Sequence, residues 1–262
     1  MKSHAPLPKQ RLSQSAFTLI ELMVVVAILA ILAGVSIPLA KIAGDASKSA
    51  RSRDNLDTIG TVLTAYATEH DNRLPPVESD EELDWSDVTF DVEMDTDDVE
   101  SLPFWVKELI LYGTESETDL SVKTFGCPGL KWTDGGDERI PEEDILLAYG
   151  ATEALYGHDD DGQLDNTLPR SILKFENKAQ TIMIVETKQN GTEPMSYGDI
   201  PWSDAKRDLS RPSHSDSRVL DFRFKKAFNA LMADGSVSSF RHKNRRDVEE
   251  PHWTGEEYDR IR

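Results

Sequence analysis

The run Ala16-Phe17-Thr18-Leu19-Ile20-Glu21-Leu22-Met23-Val24 opens an apolar segment that continues almost unbroken to Ala40. Residues 22–40 carry no charge, and a stretch of that length is close to the ~20 residues a helix needs to span a bilayer. Glu21 sits just inside its start. An ionisable group in such a segment costs about 2.5–3.5 kcal/mol on insertion scales, so its presence points to a use for the charge. A secretory signal places its small-residue cleavage site after the apolar core. Here a basic stretch with Lys2, Lys9 and Arg11 comes first, then the small residue Ala16, then the apolar run. A cut between Ala16 and Phe17 would leave the helix on the mature chain. Lys41, Lys48, Arg51 and Arg53 follow the segment, so the distribution of positive charge does not set its orientation.

Beyond residue 40 the pattern changes. Leu56, Ile59, Leu63 and Tyr66 recur at three- and four-residue spacing with polar residues between them. This is the stripe of a helix that packs on a globular body. One helix from Phe17 to about Glu69 would be ~80 Å long at 1.5 Å per residue. Gly34 and Pro38 predict a kink or local melting near 34–38, because proline removes a helix hydrogen bond. Leu74-Pro75-Pro76 closes the helical region. Residues 78–100 are strongly acidic with no Lys or Arg, the composition of a solvated or partly disordered loop, with a calcium-dependent or partner-binding loop as the alternative. Residues 103–112 suit a short helix with Pro103 near its first turn. Residues 145–151, 181–187 and 227–233 read as strands. Asp234-Gly235 between the last of these and residues 236–240 predicts a hairpin with positive φ at both turn positions. The locally basic stretch 241–246 reads as a surface tail.

A basic leader, a small residue, Phe, and Glu within an apolar helix form the pattern of type IV pilins and type II secretion pseudopilins, and the chain resembles them. Residues 49–76 resemble the helix that follows the membrane segment in major pseudopilins. The remainder is similar to a bacterial group of pilin-like proteins with a recurring head. Phe125-Gly126-Cys127-Pro128, Tyr149-Gly150, the strand-like run ending in Glu186, and His214 ahead of Ala233-Asp234-Gly235 carry that likeness. Two departures stand out. Ala16 occupies a place where the family usually has Gly, and residues 219–226 lengthen the interval between His214 and Asp234.

The resemblance implies that prepilin peptidase cuts between Ala16 and Phe17 and that Phe17 becomes the methylated N-terminus. It implies that Glu21 pairs with the free α-amino group of Phe17, in the same filament or on a neighbouring subunit. The implied partners are the peptidase, copies of this chain, other pilin-like subunits, the inner-membrane assembly machinery and membrane lipid. The leader would face the cytoplasm, and a single-pass inner-membrane helix would carry a head in the periplasm or in an extracellular filament. The expected fold is α+β, a long N-terminal helix packed on a small antiparallel sheet. The expected organisation is a leader at 1–16, a membrane or filament-core helix at 17–44, an amphipathic helix at 45–76, and a head with acidic loops and a C-terminal tail at 77–262. The function expected is that of a structural subunit of a type II secretion pseudopilus or type IV pilus-like filament. The rival is a membrane-anchored calcium- or ligand-binding protein that does not polymerise, for which Glu21 would be dispensable.

Composition narrows the remaining classes. The formal net charge of -19 opposes nucleic-acid binding, which needs basic groups to displace counterions. Loss of Lys2, Lys9 and Arg11 with the leader would make the chain more acidic still. Cys127 is the single cysteine, so no internal disulfide forms, and its apolar surroundings suggest a packing role. His70, His158, His214 and His242 are not arranged as HExxH, and no G-x-S-x-G or phosphate-binding glycine loop occurs. The expectation is therefore not an enzyme. Asp159, Asp161 and Asp165 around Gly162 are the ingredients of a calcium loop, although the EF-hand spacing is not met. A solvated acidic turn is the alternative.

Overall fold

The computed structural model describes residues 19–79, 83, 102–116, 120–127, 132–134, 137–139, 147–188, 199–210, 219–224, 226–241 and 248–255. The chain divides into two compact units between Gly44 and Asp45.

The described part of the first unit is the beginning of helix α1 (Leu19–Glu69). The predicted melting near 34–38 does not occur, since the helix runs without a break through Gly34 and Pro38. Proline withholds only one N–H from the ladder, and here the carbonyl it leaves unpaired belongs to Gly34. The Ser36 hydroxyl donates to Leu32 O at 2.7 Å within the same turns.

The second unit is the head, an α+β body built around the rest of α1. Leu56, Ile59, Leu63 and Tyr66 are all buried, as their spacing predicts, together with Val62 and Ala67. The helix stops at Glu69, where the sequence places its end, and the stretch from 70 to 76 grouped with it is not helical. Asp71 and Asn72 adopt left-handed φ values of 55° and 61°, and Asn72 N donates back to Ala67 O at 2.7 Å. Two residues in this conformation end a right-handed helix.

Helix α2 (Phe104–Glu115) follows with Pro103 at its N-cap, and it buries Trp105, Val106 and Leu109. The strands are β1 (Trp132–Asp134), β2 (Asp137–Arg139), β3 (Tyr149–Thr152), β4 (Tyr156–His158), β5 (Leu164–Pro169), β6 (Ile182–Glu186), β7 (Asp199–Ile200), β8 (Ala227–Met232) and β9 (Val237–Arg241). Helix α3 (Trp202–Leu209) lies between β7 and β8, and α4 (Glu250–Thr254) follows β9.

Five strands form one sheet in the order β7-β3-β6-β8-β9. The pairs β3/β6, β6/β8 and β8/β9 are antiparallel, but β7 runs parallel to β3. The sheet is therefore mixed, where the sequence predicts an antiparallel one. The two-residue β7 gives no strand pattern of its own, and it joins the edge that β3 leaves open. The pairs β1/β2 and β4/β5 form separate two-stranded ribbons.

The sheet is covered twice. One core joins α1 and α2 to Tyr149, Ala151, Met183, Ile184 and Leu231. A second joins Ile182, Val185, Phe228 and Ala230 to Ile200, Leu209 and Trp253. Burial on both sides explains why β6 and β8 read as nearly continuous apolar runs, broken only by Glu186 and Asn229, rather than alternating ones. A register shift between Ile182 and Ile184 marks a bulge, which lets Met183 and Ile184 both join the α1 core.

The C-terminal region is not simply a tail. Trp253 is fully buried, its indole N–H donates to Ile200 O at 2.7 Å, and Arg170 Nη1 donates to Thr254 O at 2.5 Å. Of the basic stretch 241–246, only Arg241 lies within the described residues, at the exposed end of β9.

Candidate functional site

Ala16 and Phe17 lie outside the described residues. Glu21 lies near the start of the described part of α1. Around it Leu22, Met23, Val24, Val25, Ile28, Leu29, Ile31 and Leu32 are all exposed. The helix contains a window long and apolar enough to cross a membrane, and none of that window is buried within the protein. A continuous apolar surface of this extent calls for lipid or other helices around it. One carboxylate held within it is a point of register, because a charge moved out of water is costly unless it meets an opposite one.

The three aspartates of the predicted calcium loop sit on the β4–β5 hairpin. Asp159 Oδ1 accepts from Asp161 N at 3.0 Å and Gln163 N at 2.7 Å, and Gly162 supplies the positive φ of 78° at the tip. Asp165 Oδ1 instead accepts from Thr167 N at 2.8 Å and Thr167 Oγ1 at 2.7 Å. These bonds hold the Asp165 carboxyl below its ordinary range. Two of the three carboxylates are thus committed to their own backbone. Among the described residues no three His, Cys, Asp or Glu side chains gather as a metal-holding group.

The histidines do not assemble a site either. His70 stacks on Tyr66 with ring centroids 3.9 Å apart, and its Nδ1 lies 2.8 Å from Tyr66 O. His158 ends β4, while His214 and His242 lie outside the described residues. Cys127 is buried in the α1 core, as the packing reading expects. Asp234-Gly235 does form the β8–β9 turn, but not the predicted one. Met232 N donates to Ser236 O at 2.8 Å and Gly235 N to Met232 O at 2.9 Å, which makes a three-residue loop. Only Gly235 has positive φ, at 85°. Asp234 Oδ1 caps the loop by accepting from Ser236 N at 2.9 Å.

The arrangement that sequence reading misses is a polar cluster inside the head. Glu186 closes β6 fully buried, directly opposite Tyr149 of β3. Its Oε1 accepts from the Ser52 hydroxyl of α1 and from Asn229 Nδ2 of β8 at 3.0 Å. Its Oε2 accepts from Asn229 N at 2.7 Å. The Tyr149 hydroxyl lies 3.0 Å from Ser52 Oγ and also donates to Ser52 O at 3.3 Å. Burial pushes the Glu186 carboxyl up, against the pull of Arg223, Ser52 and Asn229. Burial also raises the Tyr149 phenol, with Cys127 and Glu186 adding to it. Burial works against the charge of Arg223, but Asp221, Cys127 and Glu186 outweigh it, and Arg223 pairs with Asp221 at 2.8 Å. The one local signal was a carboxylate closing five otherwise apolar residues. Its partners at 52 and 229 are far away in sequence and share no pattern with it.

Residues 11–37 match the prokaryotic N-terminal methylation motif. No curated protein and no solved structure matches the chain. The matched span is the N-terminal motif alone, and it supports a pilin-like N-terminus of the kind that prepilin peptidase processes. Among the described residues one helix, at the N-terminus, is long and apolar enough to cross a membrane, which fits a single-pass inner-membrane anchor typical of pilins.

Proposed function

We propose that this chain is a subunit of a type II secretion pseudopilus or type IV pilus-like filament. The peptidase removes residues 1–16, Phe17 becomes the methylated terminus, and the head remains on the outer side of the inner membrane. The observation that carries the reading is the motif match over residues 11–37, on a helix whose large apolar side chains from Leu19 to Ile42 are exposed and interrupted by Glu21. In the filament, Glu21 of one subunit meets the α-amino group of Phe17, its own or a neighbour's. Both charges lie in a low-dielectric helix bundle, where leaving either unpaired costs several kcal/mol. The pair therefore sets the axial position of each incoming subunit.

The test replaces Glu21 by Ala and by Leu. Removing the carboxylate makes the segment easier to insert, so any loss must arise in assembly. Both variants should fractionate with the membrane and disappear from crosslinked filament ladders. Normal ladders from either would favour a plain anchor that does not polymerise.

A further inference from the structure

The head holds α1 in two different ways. From Leu56 onward the grip is apolar, with Leu56, Ile59, Val62, Leu63, Tyr66 and Ala67 all buried. Over residues 45–55 nothing apolar is buried. Ala46 and Ala50 are exposed, as are Lys48, Arg51 and Asp54, and Ser52 is the one buried residue. Among the described residues, a few hydrogen bonds tie that stretch to the rest of the head. Ser52 bonds Glu186 and Tyr149, Asn55 Nδ2 donates to Gly126 O at 2.8 Å, and Arg53 Nη2 reaches Val237 O at 3.4 Å on the exposed side.

A segment with no buried apolar surface and few bonds opens at lower free energy than the core it adjoins. We propose that residues 45–55 form a separately detachable segment of the head, anchored by the Ser52–Glu186–Tyr149 bonds and released together when that anchor is lost. The rest of the helix stays docked. Glu186 is then a positioning residue. Asn229 of β8 holds both of its oxygens, so the carboxylate is fixed to the sheet and presents one atom to the helix. Its charged neighbour Arg223 is in turn tied to Thr187 O at 2.6 Å and to Asp221. The docked length of α1 is consequently variable, with Ser52 as its switch point. This inference concerns the head alone and stands whether or not the chain polymerises.

Hydrogen exchange followed by mass spectrometry on the full chain in detergent micelles tests it. In Ser52→Ala, protection over residues 49–55 should fall by about tenfold or more while residues 59–67 change by less than about twofold. Alanine is a better helix former than serine, so an unimportant anchor predicts equal or greater protection at 49–55. That result would overturn the proposal. Glu186→Leu should reproduce the same local loss without altering the helix at all. An even loss across 49–67 in Ser52→Ala would also contradict it, because the segment would then open only with the whole head. If Glu186→Leu does not fold, Ser52→Ala decides alone.

Discussion

At Gly60, α1 packs closely against the sheet. A Cβ placed there would lie 2.6 Å from Leu231 Cδ1, 3.4 Å from Cδ2 and 3.6 Å from Cγ. Carbon atoms in contact sit at about 3.5–4.0 Å, so the leucine or the helix would have to yield by roughly 1 Å. Leu231 lies on β8 and is fully buried, in an interior that is close-packed. Overpacking of this kind costs about 1–3 kcal/mol. Against it stands the helix propensity gained on replacing Gly by Ala, up to about 1 kcal/mol. Gly60→Ala should therefore be neutral to destabilising by about 2 kcal/mol, and Gly60→Val, which adds two methyls and gains less propensity, should cost more. The informative comparison is a double-mutant cycle. Leu231→Ala alone should cost about 2–5 kcal/mol, but with Gly60→Ala the total should fall short of the sum by about 0.5–3 kcal/mol, the usual coupling of touching residues. Urea unfolding of the full chain in detergent, followed by a signal from the head, provides all four stabilities. If Gly60→Ala stabilises the protein by about 1 kcal/mol, as at a solvent-facing helix position, the close packing of α1 on β8 is wrong.

Three further outcomes follow from the geometry of the head. Glu186 has a folded pKa above its ordinary 4.5, so the folded state holds its proton more tightly. Stability should then decline as pH rises from about 4.5 through the folded value, by at most ~1.4 kcal/mol per pH unit, and urea midpoints across that window should lose this component in Glu186→Gln. Asp165 and Asp234 are shifted downward from 3.8 and act with the opposite sign below that window, so a slope retained in the variant would contradict the assignment. Gly235→Val should lower the head's melting temperature through about 1–3 kcal/mol of backbone strain, since nothing lies within 4 Å of a Cβ there; Gly235→Asn should cost less, and equal losses would point to a steric cause instead. Millimolar Ca²⁺ should leave the melting temperature where chelator leaves it, because Asp159 and Asp165 already accept backbone N–H groups; a calcium-dependent rise abolished by Asp161→Ala with Asp165→Ala would establish the loop as a metal site.

The features legible in the sequence are those set by neighbouring residues. The N-terminal run is continuous, so its length and its charge at Glu21 speak for themselves. The Leu56, Ile59, Leu63, Tyr66 stripe needs only helical spacing to be recognised, and β6 and β8 announce themselves as apolar runs. Asp234-Gly235 marks a turn, but its type depends on Met232 pairing with Ser236, which is a matter of register. The second layer was hidden for a different reason. Helix α3 is mostly polar, and only Ala205, Asp208 and Leu209 of its residues are buried, while α4 is five residues long. Neither shows a stripe wide enough to read. β7 depends wholly on the open edge of β3. The Ser52–Glu186–Asn229 cluster joins three elements that only the sheet order brings together, and Ser52 looks in sequence like any polar residue on a helix.

The mass of the mature N-terminus bears most directly on the account. Protein purified from membranes of cells that contain a prepilin peptidase should begin at Phe17, carry one methyl group on its α-amine, and retain the whole apolar helix. An intact terminus beginning at Met1, or a chain cut beyond Ala40, would contradict processing at the motif and with it the assignment as a pilin-like subunit.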